Sequence, residues 1–474
     1  QPRRFNELLK EGYLQNNCAV ILAGGKGKRM KSELPKPLFE VLGEPMLEWV
    51  IKACKNAALN DLCIVKGYNA HYIDEYLCGR YETVLQEEQK GTGHAVMQAR
   101  KFLEEHLDSN TLILYGDAPF VDEATISAAL EKHLSEENAV TIVSARLENP
   151  FGYGRVIRGE NGISGIVEEK DAAEEQKKID EVNSGVYWFK TSALLEALDE
   201  ISPNNAQGEY YLTDTVGIII SKGLRAGAYL TPNPKVALGA NDKKGLLQLN
   251  NVARMDIIEK HMENGVEFLC TDGVTIGRDV IIGAGTKILQ GTIITGKTII
   301  SENCTIGPNC LIDDCIIGFN TKLNYVQAYQ SVIGDNVKIG PFVHIRPDSN
   351  IKSGVKIGDF VEVKNSNIGE GTAIAHLTYV GDSDVGRNVN FGCGVVTVNY
   401  DGAKKSRTTI GDNAFIGCNT NLVAPVTVGE AAYTAAGSTI TKDVPANALA
   451  IERGEMKIKE GYGLRKLKGR IKKD

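Results

Sequence analysis

Apolar residues recur at every sixth position through much of the second half of the chain. Neither the 3.6-residue period of an α-helix nor the two-residue period of an open strand matches this spacing. Six residues per face and three faces per coil are typical of a triangular parallel β-helix, whose apolar side chains stack inward. The pattern therefore predicts a hexapeptide-repeat β-helix of about ten coils. The two unbroken runs are Ile276, Ile282, Ile288, Ile294, Ile300, Ile306 and Ile312, and then Ile333, Ile339, Ile345, Ile351, Ile357 and Val363.

The repeat extends from about Leu269 to Ile440 and is interrupted once. The interruption falls near residues 399–407, and the six-residue spacing resumes at Ile410. Binding and catalytic residues are concentrated in loops that a rigid scaffold holds in place. We therefore expect functional side chains at this loop.

The first half of the chain has another pattern, in which short apolar runs alternate with segments of helical periodicity. This alternation predicts an α/β sheet. Ligands of such sheets bind outside the carboxyl ends of the strands, which is where residues 24–27 and 116–117 are expected. The predicted strands are 18–23, 62–66, 111–115 and 139–145, and the predicted helices are 48–58 and 123–134.

A helical pattern joins the two halves. Asp242 can cap a helix that carries an apolar stripe to about Met262 and ends at Gly265. The predicted organisation is a leader at 1–17, an α/β domain at 18–241, a linker helix at 242–265, a β-helix domain at 266–456 and a basic tail at 457–474.

Composition narrows the class of protein. The chain has 474 residues, 42% of them hydrophobic, and a formal net charge of -7, which argues against a nucleic-acid partner. Ten cysteines without a C-x-x-C pair are typical of reduced thiols rather than of a disulfide or zinc framework. No segment resembles a signal peptide or reaches the roughly 18 apolar residues of a membrane span, so we expect a cytoplasmic protein.

One short motif is rejected by its context. Residues 291–298 satisfy the P-loop pattern G-x-x-x-x-G-K-[ST]. A P-loop needs a strand before it and a helix after it, whereas Ile288, Ile294 and Ile300 keep the six-residue spacing through the match. We therefore predict coils of the β-helix here, and no nucleotide site.

The loop after the first predicted strand has the residues that phosphoryl chemistry needs. Residues 24–29 read Gly-Gly-Lys-Gly-Lys-Arg, and Lys36 follows between two prolines. Glycines let backbone N–H groups approach phosphate oxygens, and fixed cations neutralise charge as a phosphoryl bond breaks. Asp117, at the end of an apolar strand, is well placed to hold Mg²⁺ against phosphate.

Together with later segments, this loop resembles the sugar-nucleotide pyrophosphorylases. The closest resemblance is to the family of bifunctional N-acetylglucosamine-1-phosphate uridylyltransferases / glucosamine-1-phosphate acetyltransferases, and it covers about residues 18–463. It implies a Rossmann-like nucleotidyltransferase domain, a left-handed parallel β-helix, and a homotrimer with active sites between the prisms. The motifs that carry the resemblance are QEEQKGTGHA (86–95), LILYGDAP (112–119), GYGR (152–155), IVEEKD (166–171), NSG (183–185) and NNAQGEYYLTD (204–214).

The resemblance implies two reactions that make UDP-N-acetylglucosamine for bacterial envelope synthesis. Acetyl-CoA acetylates glucosamine-1-phosphate, and UTP then reacts with N-acetylglucosamine-1-phosphate, releasing pyrophosphate. For the second reaction it implies catalytic roles for Arg29 and Lys36 and a Mg²⁺ site at Asp117 and Asn241. The residues implied for UTP and the UDP-sugar are Leu22, Ala23, Gly24, Gly25, Lys36, Gln86, Gly91, Thr92, Tyr115, Gly116, Asp117, Gly154, Glu168, Asn183 and Asn241.

In the β-helix, the resemblance makes His376 the general base for acetyl transfer. An imidazole near neutral pKa can take a proton from an amine nucleophile, which must be neutral when it attacks a thioester. Arg346, Lys364, Tyr379 and Asn390 are implied for glucosamine-1-phosphate. The residues implied for acetyl-CoA are Cys393, Asn399, Tyr400, Cys418, Ala436 and Arg453.

The chain departs from the family at positions 393 and 418, where the family commonly has Ala and Ser and this chain has cysteines. A thiol beside a thioester leaves an acyl-cysteine route as an alternative to direct attack by the amine. Two further alternatives concern the whole chain. The β-helix could serve only as an oligomerisation stem for a nucleotidyltransferase, or the protein could bind nucleotide sugars as a sensor or scaffold without turnover.

Overall fold

The structure, a computed structural model, describes residues 17–159 and 162–467. These residues form two compact units that divide between Ala253 and Arg254. The predicted leader, apart from Asn17, and the last seven residues of the predicted tail lie outside the described residues.

The first unit is built on a twisted sheet with helices on its faces. Strand Cys18–Ala23 pairs in parallel with two neighbours, Asp61–Lys66 and Asn110–Tyr115. The seven strands along the sheet are, in order, Ala226–Leu230, Val140–Arg146, Glu181–Lys190, Asn110–Tyr115, Cys18–Ala23, Asp61–Lys66 and Glu82–Leu85, and a hairpin of Arg155–Gly159 and Gly162–Val167 joins Glu181–Lys190. The α-helices are Met46–Asn56, Ala70–Leu77, Thr92–Gln98, Arg100–Glu105, Glu123–Ser135, Glu174–Lys177, Thr191–Leu198 and Asp214–Ser221.

The α/β class and the predicted strands are confirmed, because the apolar runs are the buried central strands. Ile21, Ile64 and Ile113 are fully buried, with apolar layers on both faces of the sheet. The parallel central strands bring the loops after Ala23 and Tyr115 to one edge, as expected from their order along the chain.

A neutral histidine is built into the core of this unit. His133, on helix Glu123–Ser135, is 2% exposed, and its ring contacts Thr141 Oγ1 at 3.0 Å and Asn110 Oδ1 at 3.2 Å. Burial lowers the pKa of His133 to about 4. An unfolded chain takes up this proton below about pH 6.5, whereas the native chain does so only near pH 4, so the native state loses stability as the pH falls through this window.

We expect His133→Gln to remove part of the acid sensitivity of this unit. Between pH 7.5 and 5.0, the free energy of unfolding should fall by roughly 2 kcal/mol less in the variant than in the parent chain. Urea unfolding followed by tryptophan fluorescence measures this unit, because the chain's two tryptophans are Trp49 and Trp188. His71→Gln, at an exposed position, is the control and should keep the parent's pH dependence. Equal pH dependence in all three proteins would contradict the prediction.

A helix occupies Lys243–Glu263, within the segment predicted as a linker. Its first turn is capped by Asp242, whose Oδ1 accepts a hydrogen bond from the backbone N–H of Gly245 at 2.8 Å. Gly265 follows the last turn with a φ of 86°, a left-handed conformation that glycine adopts without steric cost.

The second unit is a parallel β-helix, as predicted, with three faces of short strands. The first face has Glu267–Phe268, Lys287–Ile288, Thr305–Ile306, Lys322–Leu323, Lys338–Ile339, Lys356–Asp359, Ala373–His376, Asn390–Phe391, Phe415–Ile416, Tyr433–Thr434 and Leu449–Ala450. The second face has Thr275–Ile276, Ile293–Thr295, Leu311–Asp313, Val326–Tyr329, Val343–Ile345, Glu362–Lys364, Tyr379–Gly381, Val396–Val398, Asn421–Val423 and Thr439–Ile440. The third face has Ile281–Ile282, Ile299–Ile300, Ile316–Ile317, Val332–Ile333, Asn350–Ile351, Asn367–Ile368, Ser383–Val385, Thr408–Ile410 and Val426–Val428.

The six-residue repeat forms the interior of this prism. Ile288, Ile306 and Leu323 stack in register on the first face, and each is no more than 1% exposed. The interruption at residues 399–407 is a loop between Val396–Val398 and Thr408–Ile410, closed by a short antiparallel pairing of Tyr400 with Lys405.

Three further features concern the P-loop match, the thiols, and candidate membrane and metal sites. The rejected P-loop match contains strand Ile293–Thr295 and a turn at Gly296, and strand Ile299–Ile300, not a helix, follows it directly. All ten cysteines are free thiols. Within residues 17–159 and 162–467, no helix is long and apolar enough to cross a membrane, and no cluster of three His, Cys, Asp or Glu side chains could hold a metal ion.

Candidate functional site

The glycine loop begins where two central strands of the first unit end. Gly116 N donates a hydrogen bond to Leu22 O at 2.9 Å, which ties the two strand ends together. Gly24 packs directly on Gly67, where an added Cβ would approach Gly24 Cα to 2.8 Å. Gln89 Nε2 donates to Gly24 O at 2.8 Å. The backbone of the loop is therefore fixed by close packing, with Gly25 exposed beside it.

Three predicted residues converge on one point at this edge. Lys36 Nζ forms an ion pair with Asp117 and a hydrogen bond of 3.0 Å with Asn241 Oδ1. A carboxylate and a carboxamide oxygen thus share one cation, although Lys36 and Asn241 are 205 residues apart. Such an oxygen pair fits Mg²⁺, which takes one or two protein oxygens and completes its shell with water and phosphate. The other predicted catalytic residue, Arg29, is exposed.

The segment predicted for the uracil is held by a second stretch of chain. Gln86 Nε2 donates to Gly91 O at 3.1 Å. Gly91 has a φ of 110°, and a Cβ there would meet Tyr210 O at 2.5 Å. Leu212 N donates to Thr92 Oγ1 at 3.0 Å. Residues 86–92 and 204–214, which the resemblance picked out separately, therefore form one contiguous structure.

The predicted sugar residues also lie together. Asn183 N donates to Gly154 O at 2.9 Å, and a Cβ on Gly154 would come within 3.4 Å of Glu168 Oε2. Thr213 Oγ1 donates to Glu168 Oε1 at 3.1 Å. Burial raises the pKa of Glu168, and the carboxylates of Asp171 and Asp214 raise it further.

Two further side chains support this group: Arg155, from the GYGR motif, and the half-buried Tyr115, which the resemblance implies for the nucleotide sugar. Arg155, 1% exposed, forms an ion pair with Glu169 at 2.8 Å directly behind Gly154. Tyr115 packs on Gly185, where an added Cβ would lie 2.4 Å from the ring. Burial, with a contribution from the Glu168 charge, raises the pKa of Tyr115, so the phenol is neutral.

In the second unit, part of the predicted acetyl-CoA set forms a column. Ile374, Phe391 and Ile416 pair in register on the first face, and each is followed two residues later by a predicted site residue. Backbone N–H groups from the next coil donate to the carbonyls of His376 at 3.2 Å, Cys393 at 2.7 Å and Cys418 at 2.8 Å. The column is therefore His376, Cys393, Cys418 and Ala436, one residue per coil, at the corner where the first face passes into the second.

A polar cluster occupies the other end of the second face. Asn399 Nδ2 donates hydrogen bonds to Asp382 and, at 3.4 Å, to Tyr379 Oη. Burial alone would raise the pKa of Asp382, but hydrogen bonds from Asn365 and Asn399 and the charge of Lys364 lower it.

Two cations continue this cluster. Arg346 Nη1 contacts Glu362 Oε1 at 2.8 Å. The ammonium of Lys405, which lies on the interrupting loop, together with partial burial lowers the pKa of Lys364. Arg346, Lys364 and Lys405 carry three positive charges against the two negative charges of Glu362 and Asp382, and a phosphate group would neutralise the remaining charge.

Within one chain the predicted acetyl-transfer residues are not all neighbours. Asn390 pairs with Ala373 at the start of the strand that ends at His376, so it lies at the far side of the first face. Asn399 belongs to the polar cluster and not to the cysteine column. Tyr400 is 56% exposed on the loop, and Arg453 is exposed beyond the last coil.

The family comparisons match both units. A family model described as Nucleotidyl transferase matches residues 18–233, and one described as Bacterial transferase hexapeptide (six repeats) matches residues 330–365 and 407–442. "Bifunctional protein GlmU" of Acetivibrio thermocellus is 47% identical over 449 residues, which cover 94% of this chain and 97% of that protein. "Bifunctional protein GlmU" of Caldanaerobacter subterraneus subsp. tengcongensis is 50% identical over 461 residues, covering 97% and 99%.

The chain belongs to the bifunctional GlmU family. It carries both units of the family at nearly full length, so the predicted family and the predicted enzyme class are confirmed. The chain is a bifunctional transferase that acetylates glucosamine-1-phosphate and then transfers a uridylyl group to N-acetylglucosamine-1-phosphate, giving UDP-N-acetylglucosamine. A β-helix that serves only as a stem, and a sensor without turnover, do not fit this membership.

Proposed function

We propose that the cluster of Lys36, Asp117 and Asn241 catalyses uridylyl transfer, and that the corner at His376 catalyses acetyl transfer. The observation that supports the first assignment is the convergence of a carboxylate, an amide oxygen and a cation beside a glycine loop. The second rests on a histidine that heads a column of small side chains, one coil from Cys393.

For uridylyl transfer, the residues act by position and charge. Backbone N–H groups of Gly24 and Gly25 bind the triphosphate. A phosphate oxygen of the sugar phosphate attacks the α-phosphorus of UTP, and pyrophosphate leaves. Lys36 and Arg29 neutralise the charge that develops on the phosphates during this step. Asp117 and Asn241 would hold Mg²⁺, which supplies further neutralisation of the phosphate oxygens. No side chain of the protein forms a covalent bond with substrate in this step.

The neighbouring groups select the two substrates. Gln86, fixed to Gly91, offers its amide to the uracil edge, while Thr92 lies beside it. Glu168 and Asn183 border the space for the acetylated sugar, where the half-buried carboxylate of Glu168 can accept hydrogen bonds from hydroxyl groups.

For acetyl transfer, His376 takes a proton from the 2-amino group of glucosamine-1-phosphate as the nitrogen attacks the thioester carbonyl. A backbone N–H near Cys393 stabilises the tetrahedral oxyanion by donating a hydrogen bond to it. The cations Arg346 and Lys364 hold the sugar phosphate, and Tyr379 contacts the sugar. CoA leaves as a thiol along Cys418, Ala436 and Arg453.

This second site is completed by other copies of the chain. Asn390 is at the far side of the first face from His376, and the cation cluster is at the far side of the second face. One strand of three residues spans about 10 Å, which is wider than a single sugar. A homotrimer of prisms, in which one copy's corner meets another copy's face, brings these groups to one substrate.

The proposal is tested with a two-part assay on the purified chain. Thiol release is followed with glucosamine-1-phosphate and acetyl-CoA, and pyrophosphate release is then followed after UTP and Mg²⁺ are added. We expect both signals in sequence. Pyrophosphate release only when N-acetylglucosamine-1-phosphate is supplied, without any thiol signal, would leave the corner at His376 without its proposed role.

Direct attack by the amine predicts that the Cys393 thiol takes no covalent part. In Cys393→Ala we expect the kcat of acetyl transfer to change by less than about tenfold, because only the base and the donor N–H groups act on the reacting atoms. Steady-state thiol release and a search for an acetylated cysteine by mass spectrometry measure this. A loss of several orders of magnitude would favour the acyl-cysteine route.

A further inference from the structure

Two cysteines lie one above the other in adjacent coils. Phe391 pairs with Ile416, and Cys393 and Cys418 each follow these paired residues by two positions. Hydrogen bonds hold the coils together on both sides, from Gly392 N to Ile416 O at 2.7 Å and from Asn419 N to Cys393 O at 2.7 Å. In-register coils are about 4.8 Å apart, which lies within the Cα separation of about 4.4–6.8 Å that disulfides use.

This pair differs from the three buried cysteines of the β-helix. Cys304, Cys310 and Cys315 are buried and face Thr321, Val326 and Ser331 of the next coil. Burial also raises the pKa of these three thiols, which lowers their fraction of reactive thiolate. Cys393 is half-buried and Cys418 is exposed, so both can be reached by small molecules.

We propose that Cys393 and Cys418 form a reversible disulfide between adjacent coils, and that this bridge switches acetyl transfer off. A low-molecular-weight disulfide, RSSR, is the oxidant. One thiolate attacks it and releases RS⁻, and the other thiolate then attacks the resulting mixed disulfide and releases a second RS⁻. Two thiols are oxidised to one bridge while RSSR is reduced to two thiols, and a dithiol reverses the exchange.

The effect on activity rests on the proposed function of the His376 corner. The bridge draws two sulfur atoms to bonding distance across the column that we propose for acetyl-CoA, and it fixes the backbone at Cys393. A displacement of about 1 Å in a reacting group can cost 100-fold in rate. The cluster at Lys36 and Asp117 lies in the other unit, so uridylyl transfer is the internal control.

The experiment treats the full chain with oxidised glutathione and separates bridge formation from activity. Peptide mapping by mass spectrometry under non-reducing conditions should find a Cys393–Cys418 linkage, with the loss of two hydrogen atoms and no glutathione adduct. We expect acetyl transfer to fall at least about tenfold, uridylyl transfer to change less than about twofold, and dithiothreitol to restore the lost rate. Cys393→Ser and Cys418→Ser, each compared with its own reduced rate, should form no bridge.

Controls make each outcome decisive. Cys78→Ser, at an exposed cysteine of the first unit, should oxidise and lose acetyl transfer as the parent does. A stable glutathione adduct on either thiol without the linkage, or a cross-link between two chains on a non-reducing gel, would overturn the proposal. A linkage that leaves acetyl transfer unaltered would overturn the switch. A reduced chain without acetyl transfer would instead count against the proposed function, and the mapping would still decide the bridge.

Discussion

His376→Ala should lose acetyl transfer by about 10²–10⁴-fold in kcat and keep uridylyl transfer. The amine of glucosamine-1-phosphate must lose a proton as it attacks the thioester, and His376 is the histidine that heads the column of Cys393, Cys418 and Ala436. Its imidazole is exposed in the single chain and receives no hydrogen bond from the described residues. Substrate therefore has free access to both ring nitrogens.

The measurement is thiol release at saturating acetyl-CoA, with pyrophosphate release recorded on the same sample. His376→Gln preserves polarity without a basic nitrogen and should be as slow as the alanine variant. Added imidazole should recover part of the rate of His376→Ala, because an exposed corner admits a small base in place of the side chain. A variant within about tenfold of the parent rate would remove His376 from the role of general base.

The sequence was sufficient to predict the β-helix, because every coil needs apolar side chains at the same inward positions. A buried Ile, Leu or Val every sixth residue is an inward position of the prism, and the pattern survives single shortened corners. One such corner lies between Ile312 and Ile317, which are five residues apart yet stack with Ile294 and Ile300 of the preceding coil. A local period thus predicts the whole fold here, because residues that stack on each other are separated by only one coil of the chain.

The same period explains which residues of the polar cluster were missed. Asp382 lies 17 residues before Asn399, and Glu362 lies 17 before Tyr379, so both are one coil from a predicted residue. Counting one coil in each direction would have found them. Lys405 sits on the interrupting loop, where the register is lost, and no spacing rule could place its charge beside Lys364.

The first unit offers no such period. Lys36 and Asn241 meet across 205 residues, and neither is exceptional in its local segment. The resemblance alone brought Asn241 into the predicted site. The α/β pattern predicted which edge of the sheet would bind ligand. The convergence of Lys36, Asp117 and Asn241 also depends on how the chain returns to that edge after Leu230, through the segment Pro234–Ala237.

Asp117→Ala should lose uridylyl transfer by at least about 10³-fold while acetyl transfer continues. Asp117 balances the charge of Lys36, and its carboxylate is the strongest oxygen ligand of the proposed Mg²⁺ site. Removing it leaves an amide oxygen as the remaining protein ligand and frees Lys36 to change position. Both effects weaken neutralisation of the phosphates at the moment when pyrophosphate leaves.

Pyrophosphate release is measured with N-acetylglucosamine-1-phosphate supplied, so that the result is independent of the acetyl site. Asp61→Ala removes an exposed carboxylate from the opposite edge of the same sheet and is the matched control. It should retain uridylyl transfer within about threefold, because its charge is too far from the reacting phosphates to stabilise them. In Asp117→Asn the amide keeps one oxygen for a metal but loses the charge, so activity should be partly restored at high Mg²⁺. If both Asp117 variants turned over at the parent rate at every Mg²⁺ concentration, the convergence on Lys36 would be a structural ion pair, and the phosphates would be neutralised elsewhere.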